Sequence, residues 1–309
     1  MAKRYRAVIV SPHLDDAVFS CGGEIDRLAK EGPVLVLNLF TRYLADIKIR
    51  GVVLGEERYQ EEADAADFLG YESHNMGELD VTFRRDAYRS LGNIFRPPVD
   101  EDMAWLPELR EKVFLFLAGL EFEQLYVPLG IGWHVDHVLT HLVFEPWAGR
   151  AGLLYYEDAP YCLIPHTTRY RLNELGAYSW DENDASLTPS SELRAWWQCA
   201  MAYADTALMK NLKPWIVRQS AIPVVSFYLY RLMALHRHCA KQRPNRQWIP
   251  VVMPLGSHFD RKLAAMTLYR SQFREFFSDE ADCKASLFDY AARMSERAGP
   301  VERYWRPAE

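Results

Sequence analysis

Cysteine is scarce in this sequence, and the few cysteines that occur are not paired. The 309 residues contain five cysteines, an odd number, and no two of them stand in a C-x-x-C spacing. Disulfide frameworks and thiolate zinc sites need paired or closely spaced cysteines. Their absence excludes a small disulfide-stapled domain, and scattered thiols are typical of the reducing cytoplasm. We therefore expect a cytoplasmic protein.

Basic clusters and long apolar runs are also missing. There are 36 Lys and Arg residues against 42 Asp and Glu, which gives a formal net charge of −6. Without a run of Lys or Arg, this balance argues against nucleic acid as a partner. No stretch approaches the roughly 20 uninterrupted apolar residues of a membrane span. The apolar run at residues 7–10 is too short for the core of a signal peptide.

The sequence does contain an alternation of apolar runs with amphipathic segments. The apolar, often β-branched runs predict buried strands, and the segments between them have helical spacing. This rhythm favours right-handed βαβ units, and hence an α/β fold with a Rossmann-like, mostly parallel sheet flanked by helices. We predict strands over residues 5–11, 34–40, 124–128 and 152–157, and helices over 17–31, 56–69, 109–120 and 134–144.

The second half of the chain is less regular. Helical spacing recurs over residues 192–212 and 259–277, whereas the polar stretch 178–191 predicts a surface loop. No repeat, low-complexity tract or linker marks a domain boundary. We therefore predict a single domain over residues 1–309, with a core at about 4–160 and a C-terminal elaboration at about 161–309.

Two clusters of His and Asp follow two of the predicted strands. Residues 12–16 read Pro-His-Leu-Asp-Asp, and residues 134–137 read His-Val-Asp-His. Ligands bind at the carboxyl ends of parallel strands, so the loops that carry these clusters are expected to converge. Imidazole and carboxylate are the ligands that suit zinc where thiolates are absent. In each cluster two such groups stand three residues apart and can face one point from a helical turn.

The residue types fit a catalytic metal site better than a structural one. Two histidines and one carboxylate leave a coordination position open for water. The clusters exceed three ligands, and the surplus would be Asp15, His134 and Asp136. Hydrolysis needs such groups: a base, a cationic donor to the oxyanion and a carboxylate that orients the histidine. Taken singly, an Asp pair after a strand is often an N-cap and H-x-x-H arises by chance, but both occur here at strand ends.

Together the clusters resemble the signature of the PIG-L/LmbE-like zinc-dependent N-deacetylases, the family of GlcNAc-PI de-N-acetylase. In that family a strand precedes (P/A)-H-P-D-D, and H-x-D-H follows later in the chain. Further similarities extend over most of this sequence. They are Arg58-x-x-Glu61 with Ala65-Ala66 and Leu69-Gly70, Asp80, Tyr155-Tyr156-Glu157-Asp158 with Pro160-Tyr161, and Lys262-x-x-Ala265 with Tyr269-x-Ser271-Gln272.

The resemblance implies a zinc site with a general base beside it. His13, Asp16 and His137 match the family's ligands and would hold one zinc ion per chain. Asp15 matches the family's general base. A single site of this kind implies a metal-dependent amidohydrolase.

The resemblance also implies roles for residues around the metal. His134 would stabilise the oxyanion or protonate the leaving amine, and Asp136 would hold its ring. Arg58 and Asp80 match positions that contact substrate hydroxyls or sugar oxygens in relatives. Their alternative interpretations are an ordinary helix-surface charge and a loop cap.

The sequence departs from the family pattern at four places. Leu14 and Val135 replace prolines, and neither position supplies a ligand. Gly132 stands where some members have a tyrosine, so the oxyanion role proposed for that tyrosine has no match here. Trp133 precedes His134 where glycine is frequent. We interpret Trp133 as a stacking wall for a sugar ring, with a core aromatic as the alternative.

The resemblance therefore implies a hydrolase that removes an N-acetyl or other N-acyl group from an amino sugar or its conjugate, as in natural-product or glycoconjugate biosynthesis. The expected partner is that small molecule, with neither nucleic acid nor a membrane span, and a homo-oligomer stays open. One alternative is a two-metal phosphoesterase, which would recruit Asp15, Asp136 and His141 as ligands. Another is a silent sugar-binding module, whose broken ligand set is not seen here.

Overall fold

The computed structural model describes residues 3–44, 55–89, 91–176, 189–204, 247–294 and 299–308, with isolated positions 206, 223, 226, 227 and 230. The described residues form a seven-stranded sheet with helices on both sides. Its strands are β1 (Lys3–Ser11), β2 (Val34–Asn38), β3 (Glu72–Asn75), β4 (Leu120–Pro128), β5 (Leu153–Tyr156), β6 (Trp248–Pro254) and β7 (Val301–Pro307).

The sheet is mostly parallel, as the sequence predicts. Its strand order is β3-β2-β1-β4-β5-β7-β6, and every pairing from β3 to β5 is parallel. Only β7, which pairs with β5 and β6, runs antiparallel to its neighbours. This confirms the α/β, Rossmann-like fold class. The connection reverses direction between β1 and β4, and crevices at such a switch point are where ligands bind in open α/β sheets.

Ten α-helices lie within the described ranges, and none of them is both long and apolar enough to cross a bilayer. They are α1 (Asp16–Ala29), α2 (Glu56–Leu69), α3 (Val81–Arg84), α4 (Asp100–Ala118), α5 (Val135–Phe144), α6 (Thr167–Glu174), α7 (Pro189–Ala204), α8 (Phe259–Leu268), α9 (Arg270–Phe276) and α10 (Glu280–Ala292).

The predicted elements agree best where the local signal is strong. Helix α2 has the predicted bounds, because Gly70 ends it with a left-handed φ of 79°. The predicted helix 259–277 is divided at Tyr269, whose ψ of 62° is not helical. Helix α7 begins at 189, inside the predicted loop 178–191, whereas residues 177–188 and most of 205–246 lie outside the described residues.

The C-terminal part is joined to the core through a buried ion pair. The ammonium of Lys262 on α8 lies 2.7 Å from Oε1 of Glu302 on β7, and both side chains are 2% exposed. The same carboxylate accepts hydrogen bonds from the backbone N–H groups of Gly23 and Glu24 in α1. Charges buried this deeply need such partners. Lys262, which belongs to the C-terminal family motif, therefore has a structural role.

Candidate metal centre

The first cluster is shaped by the turn from β1 into α1. The Ser11 hydroxyl donates to the carbonyl of His13 over 2.6 Å and accepts from the N–H of Ala17 over 3.0 Å. The N–H of His13 donates to the carboxylate of Asp16, the first residue of α1, over 2.9 Å. These bonds fix a tight turn, which aims polar side chains at the carboxyl edge of the sheet.

The second cluster follows a turn with left-handed backbone. Gly130, Gly132 and Trp133 have φ values of 84°, 86° and 62°. The carboxylate of Asp158, just after β5, accepts from the N–H groups of residues 130 and 131 over 2.8 Å each. This ties the loop after β4 to the end of β5. His134 then caps α5, so that it and His137 face the same edge as the first cluster.

The two clusters meet around one carboxylate oxygen. Oδ2 of Asp16 lies 3.1 Å from Nδ1 of His13 and 3.3 Å from Nε2 of His137. The ring of His134 is centred 4.9 Å from that of His13 and 5.2 Å from that of His137. Ligand atoms of the three histidines all lie within 4.8 Å of one another, and all are buried. The predicted set of His13, Asp16 and His137 is therefore brought together, with His134 beside it.

Carboxylates hold the far side of both rings. Nε2 of His13 lies 3.1 Å from Oδ2 of Asp136, and Nδ1 of His137 lies 2.7 Å from Oδ1 of Asp158. The remaining nitrogens, Nδ1 of His13 and Nε2 of His137, consequently face Asp16. Histidines that bind metals usually have their second nitrogen held by a carboxylate or carbonyl in this way.

The electrostatics of the centre favour positive charge. Burial lowers the pKa of His13, but Asp136 and Asp16 outweigh burial and raise it to about 9. Burial also lowers the pKa of His137, which Asp16 and Asp158 raise to about 10. Burial raises the pKa of Asp16, yet the two histidines hold it well below its usual range. A divalent cation would satisfy this anionic pocket and displace the ring protons, so the donor set fits a metal ion.

Asp136 contacts a different histidine from the one expected. The sequence analysis assigns it to the ring of His134, but its carboxylate binds His13, the N–H of Val81 over 2.9 Å and Nη2 of Arg84 over 2.7 Å. Only the backbone N–H of Asp136 reaches His134, because a residue two positions into a helix presents its N–H to the N-cap. Arg84 also contacts the buried Asp102, so a chain of charges supports His13 from behind.

The carboxylate of Asp15 contacts α2. Its Oδ1 lies 2.9 Å from Nη2 of Arg58, and both side chains are buried. Burial raises the pKa of Asp15, Arg58 lowers it and Asp16 raises it, and the resulting pKa is about 6. Arg58, expected to contact substrate, is thus the ionic partner of the candidate base. A carboxylate with a pKa near 6 is well suited to accept a proton at neutral pH.

His134 is poised as a neutral donor and not as the cation that the sequence analysis expects. Burial and the charges of His13 and His137 lower the pKa of His134 well below its usual value. Its Nδ1 accepts from the N–H of Asp136 over 3.3 Å, which leaves the proton of a neutral ring on Nε2. A neutral imidazole of this tautomer still donates one hydrogen bond.

Asp80 and Trp133 have structural partners in this arrangement. Asp80 caps α3 by accepting from the N–H of Thr82 over 2.9 Å, and its Oδ2 lies 3.7 Å from Nε2 of His13. Trp133 is 1% exposed, packs with Tyr170 and donates to Glu174 over 2.6 Å. The indole therefore forms part of the interior, which agrees with the alternative of a core aromatic and opposes a stacking wall.

Sequence reasoning assigned no role at the centre to Asp158, Arg84 or Tyr161. Asp158 and Tyr161 stand in a family motif, but their contacts with the centre are not visible from spacing. The Tyr161 ring lies 5.5 Å from that of His137, and an added Cβ on Gly132 would lie 2.4 Å from Cγ of Tyr161. Tyr161 therefore fills the space in front of Gly132. Arg84 belongs to no motif in the sequence. Only its ion pairs with residues distant in the sequence show that it supports the centre.

The fold and the centre define an α/β protein with a buried His–Asp site at the carboxyl edge of a parallel sheet. Residues 8–148, which hold both clusters, match the family model described as PIG-L, GlcNAc-PI de-N-acetylase. The resemblance seen in the sequence is therefore confirmed over this segment, which is a little under half of the chain.

Known proteins extend this similarity beyond the domain. The 2′-N-acetylparomamine deacetylase of Streptomyces fradiae is 28% identical over 167 residues, which are 52% of this chain and 58% of that protein. The deacetylase of A40926 pseudoaglycone has a TM-score of 0.59 at 18% identity, over 99% of this chain and 98% of that one. The zinc-inhibited form of a teicoplanin deacetylase gives 0.61 at 15%, over 99% and 98%. At these sequence identities, the comparison shows that both solved structures share the fold of this chain.

Proposed function

We propose that the protein is a zinc-dependent hydrolase that removes an N-acetyl or other N-acyl group from an amino sugar or its conjugate. The observation that carries this proposal is the convergence of His13, Asp16 and His137 on one point with a carboxylate beside it that binds none of them. That carboxylate, Asp15, is paired with Arg58. Metal ligands with a separate base are the minimum set for metal-assisted hydrolysis of an amide.

The relatives support this reading of the chemistry. The curated relative is a deacetylase of 2′-N-acetylparomamine, and the two structural relatives are deacetylases of A40926 pseudoaglycone and of teicoplanin. Amino-sugar deacetylation in natural-product biosynthesis is the activity these relatives share. The chain spans 58% of the curated relative, so the activity is transferred here as a proposal.

His13, Asp16 and His137 would hold one zinc ion per chain. Asp136 and Asp158 fix the two rings so that one nitrogen of each is free for the metal. When bound, zinc supplies Lewis acidity towards a water molecule and the amide carbonyl. The four described cysteines are buried free thiols, which fits our proposal of a cytoplasmic protein.

Asp15 moves the proton in the proposed reaction. It takes a proton from the attacking water as the water oxygen bonds to the amide carbon. The same proton then passes to the amide nitrogen as the carbon–nitrogen bond breaks, which releases the free amine and a carboxylic acid, and the acid then loses its proton to solvent. Arg58 holds Asp15 ionised at neutral pH, because its positive charge opposes the effect of burial on the pKa.

His134 stabilises the charge that develops on the amide oxygen. Its Nε2–H is the donor, since Nδ1 is occupied by the backbone N–H of Asp136. The low pKa of His134 means that this donor is neutral. A donor placed where charge appears only in the transition state raises kcat more than it improves binding.

The test combines metal analysis with amine release. The purified protein should contain close to one zinc ion per chain and should release amine from N-acetylated amino sugars. Asp16→Ala should lose the metal and the activity, while Asp158→Asn should keep its fold and bind zinc about 10- to 100-fold more weakly. A metal-free wild-type protein that still releases amine would refute the zinc assignment.

A second candidate function rests on one observation. Ligand atoms of His13, Asp80 and Asp136 also lie within 4.8 Å of one another, which resembles part of a second metal position. A two-metal phosphoesterase would need it. Asp136 is already bound by Arg84, so the one-metal amidase is favoured. Two metal ions per chain with phosphate release would reverse this order.

A further inference from the structure

Polar groups without partners lie on the Asp15 side of the centre. The hydroxyl of Tyr43 and Nε of Arg58 are buried, and neither has a hydrogen-bond partner within the described part of the chain. The ring of Tyr43 faces the guanidinium of Arg58 at 5.8 Å. Buried polar atoms are nearly always paired in folded proteins, so two adjacent exceptions point to polar atoms of a ligand on this side.

The C-terminal helix α9 brings a carboxylate to the same place. The N–H and hydroxyl of Ser271 donate to Glu61 of α2 over 2.8 and 2.5 Å, which docks α9 on α2. Glu275 lies one turn after Ser271 in α9, and Arg58 lies one turn before Glu61 in α2. The contact between Ser271 and Glu61 therefore places Glu275 and Arg58 on the helix surfaces that face each other. Next to Glu275, the ring of Phe276 lies 6.1 Å from that of Tyr161, which contacts His137.

Glu275 is within electrostatic reach of the centre but is bound by nothing there. Burial raises its pKa to about 7, Arg58 lowers it and Asp15 raises it, so both charges act on it. No hydrogen bond or ion pair of the Glu275 carboxylate occurs among the described residues. Its side chain is half-buried.

The charges around the centre leave an excess of carboxylates. Arg58 pairs with Asp15 and Arg84 pairs with Asp136, which neutralises one carboxylate each. A zinc ion, with two positive charges, would balance the carboxylates of Asp16 and Asp158, which lie against His137. The carboxylate of Glu275 remains uncompensated, and an anionic cleft attracts cations and disfavours anionic ligands.

We propose that Glu275 is a specificity-determining residue that binds a second, protonated amine of a polycationic amino sugar. This inference rests on the proposed function, because the first amine is the acylated nitrogen next to Asp15. It assigns to the C-terminal elaboration the choice between polyamine sugars and neutral N-acetyl sugars.

Binding of the free amine tests the subsite separately from hydrolysis. Paromamine, a polycationic amino sugar, is titrated calorimetrically into zinc-loaded wild-type protein, Glu275→Gln and the control Glu280→Gln. Glu280 is exposed on α10, so the control makes the same chemical change away from the centre. Loss of a hydrogen bond to a charged group predicts a Kd about 10- to 100-fold weaker in E275Q and unchanged in E280Q.

Steady-state kinetics provide the second measurement. For 2′-N-acetylparomamine, E275Q should raise KM by a similar factor with kcat nearly unchanged, whereas for neutral N-acetylglucosamine neither constant should change. The wild-type KM for the cationic substrate should also rise with salt, more than that of E275Q. If E275Q binds paromamine more weakly than the wild type does, but the wild type shows no deacetylation, the subsite is supported and the proposed function is refuted. Equal paromamine affinity in E275Q and wild type, or equal losses on both substrates, would overturn the inference.

Discussion

The loops after β1 and β4 reach the same edge of the sheet as helix α9, but different contacts hold them there. The loop after β1 is fixed by bonds within a few residues, such as those from Ser11 to residues 13 and 17, and the loop after β4 is fixed by the carboxylate of Asp158. Helix α9 is fixed by side chains distant in sequence, Ser271 on Glu61 and Phe276 on Tyr161. Turns at the strand ends position the chemistry, and side-chain contacts with distant elements position α9.

This difference teaches how one core can serve several substrates. Groups that react must keep their geometry, and hydrogen bonds within and between the turns at the strand ends supply it. Groups that select a substrate can change with the elements that surround the core. Substitutions in the first region should therefore change kcat or metal content, while those in the second should change stability or KM.

The largest effect is expected at Asp15. Asp15→Asn removes the base, so kcat should fall by about 10²- to 10⁴-fold. Zinc content should stay at the wild-type level, because the carboxylate binds Arg58 and not the ligand nitrogens. Mass spectrometry of the metal and steady-state kinetics check both. Loss of zinc from this variant would place Asp15 among the ligands and revive the two-metal reading.

The second effect concerns the buried ion pair that joins the C-terminal part to α1. Lys262→Met leaves Glu302 buried without its cation, which should lower the free energy of unfolding by about 3–5 kcal/mol. Urea denaturation of the zinc-loaded protein measures it. The double variant Lys262→Met/Glu302→Gln should recover part of this loss. If the single variant also lowered kcat at a temperature where it is folded, the proposed separation of stability from chemistry would fail.

The third effect separates a donor from a ligand. His134→Ala should lower kcat by about 10²- to 10³-fold, with KM within a few-fold and zinc retained. His134→Gln, which keeps an N–H donor, should recover part of the rate. Because the low pKa of His134 makes it a neutral donor, the pH profile at high pH should not depend on it. Equal zinc loss from His134→Ala and His137→Ala would make both histidines ligands.

The smallest effect is a displacement of the pH profile. Asp15 acts as a base only when ionised, so kcat/KM should fall as the pH drops through about 6, the pKa of its carboxyl. Arg58→Ala removes the charge that lowers this pKa, so the ascending limb should move about one unit to higher pH. Arg58→Lys should move it less. A limb that stays in place, or moves to lower pH, would contradict the assignment of Arg58 to Asp15.

The sequence predicts the elements that have a strong local signal. Strands β1, β2, β4 and β5 and helix α2 follow from continuous apolar runs and a terminal glycine. Strands β3 and β7 are not predicted, because β3 is exposed and polar and β7 mixes charged with aromatic residues. Their strand state depends on pairing with neighbours, which outweighs local preference.

The candidate site divides in the same way. The clusters at His13 and His134 are predicted because each follows a strand and carries its donors within a few residues. The partners of these donors are not predicted, since Arg84 meets Asp136, and Asp158 meets His137, only in the folded chain. The sequence predicts the wrong partner for Asp136 for the same reason. Proximity in the sequence favours His134, whereas the fold brings Asp136 to His13.

Gly132 and Tyr161 have a consequence for how this centre can change. The Tyr161 ring stands where any side chain at position 132 would have to go, since a Cβ there would lie 2.4 Å from the ring. Side chains at positions 132 and 161 therefore compete for the same volume in front of His137. Enlarging position 132 requires a smaller residue at 161, and it also strains the backbone of residue 132, whose φ is 86°. As a result, either the loop after β4 or the segment after β5 can supply the side chain that forms this surface.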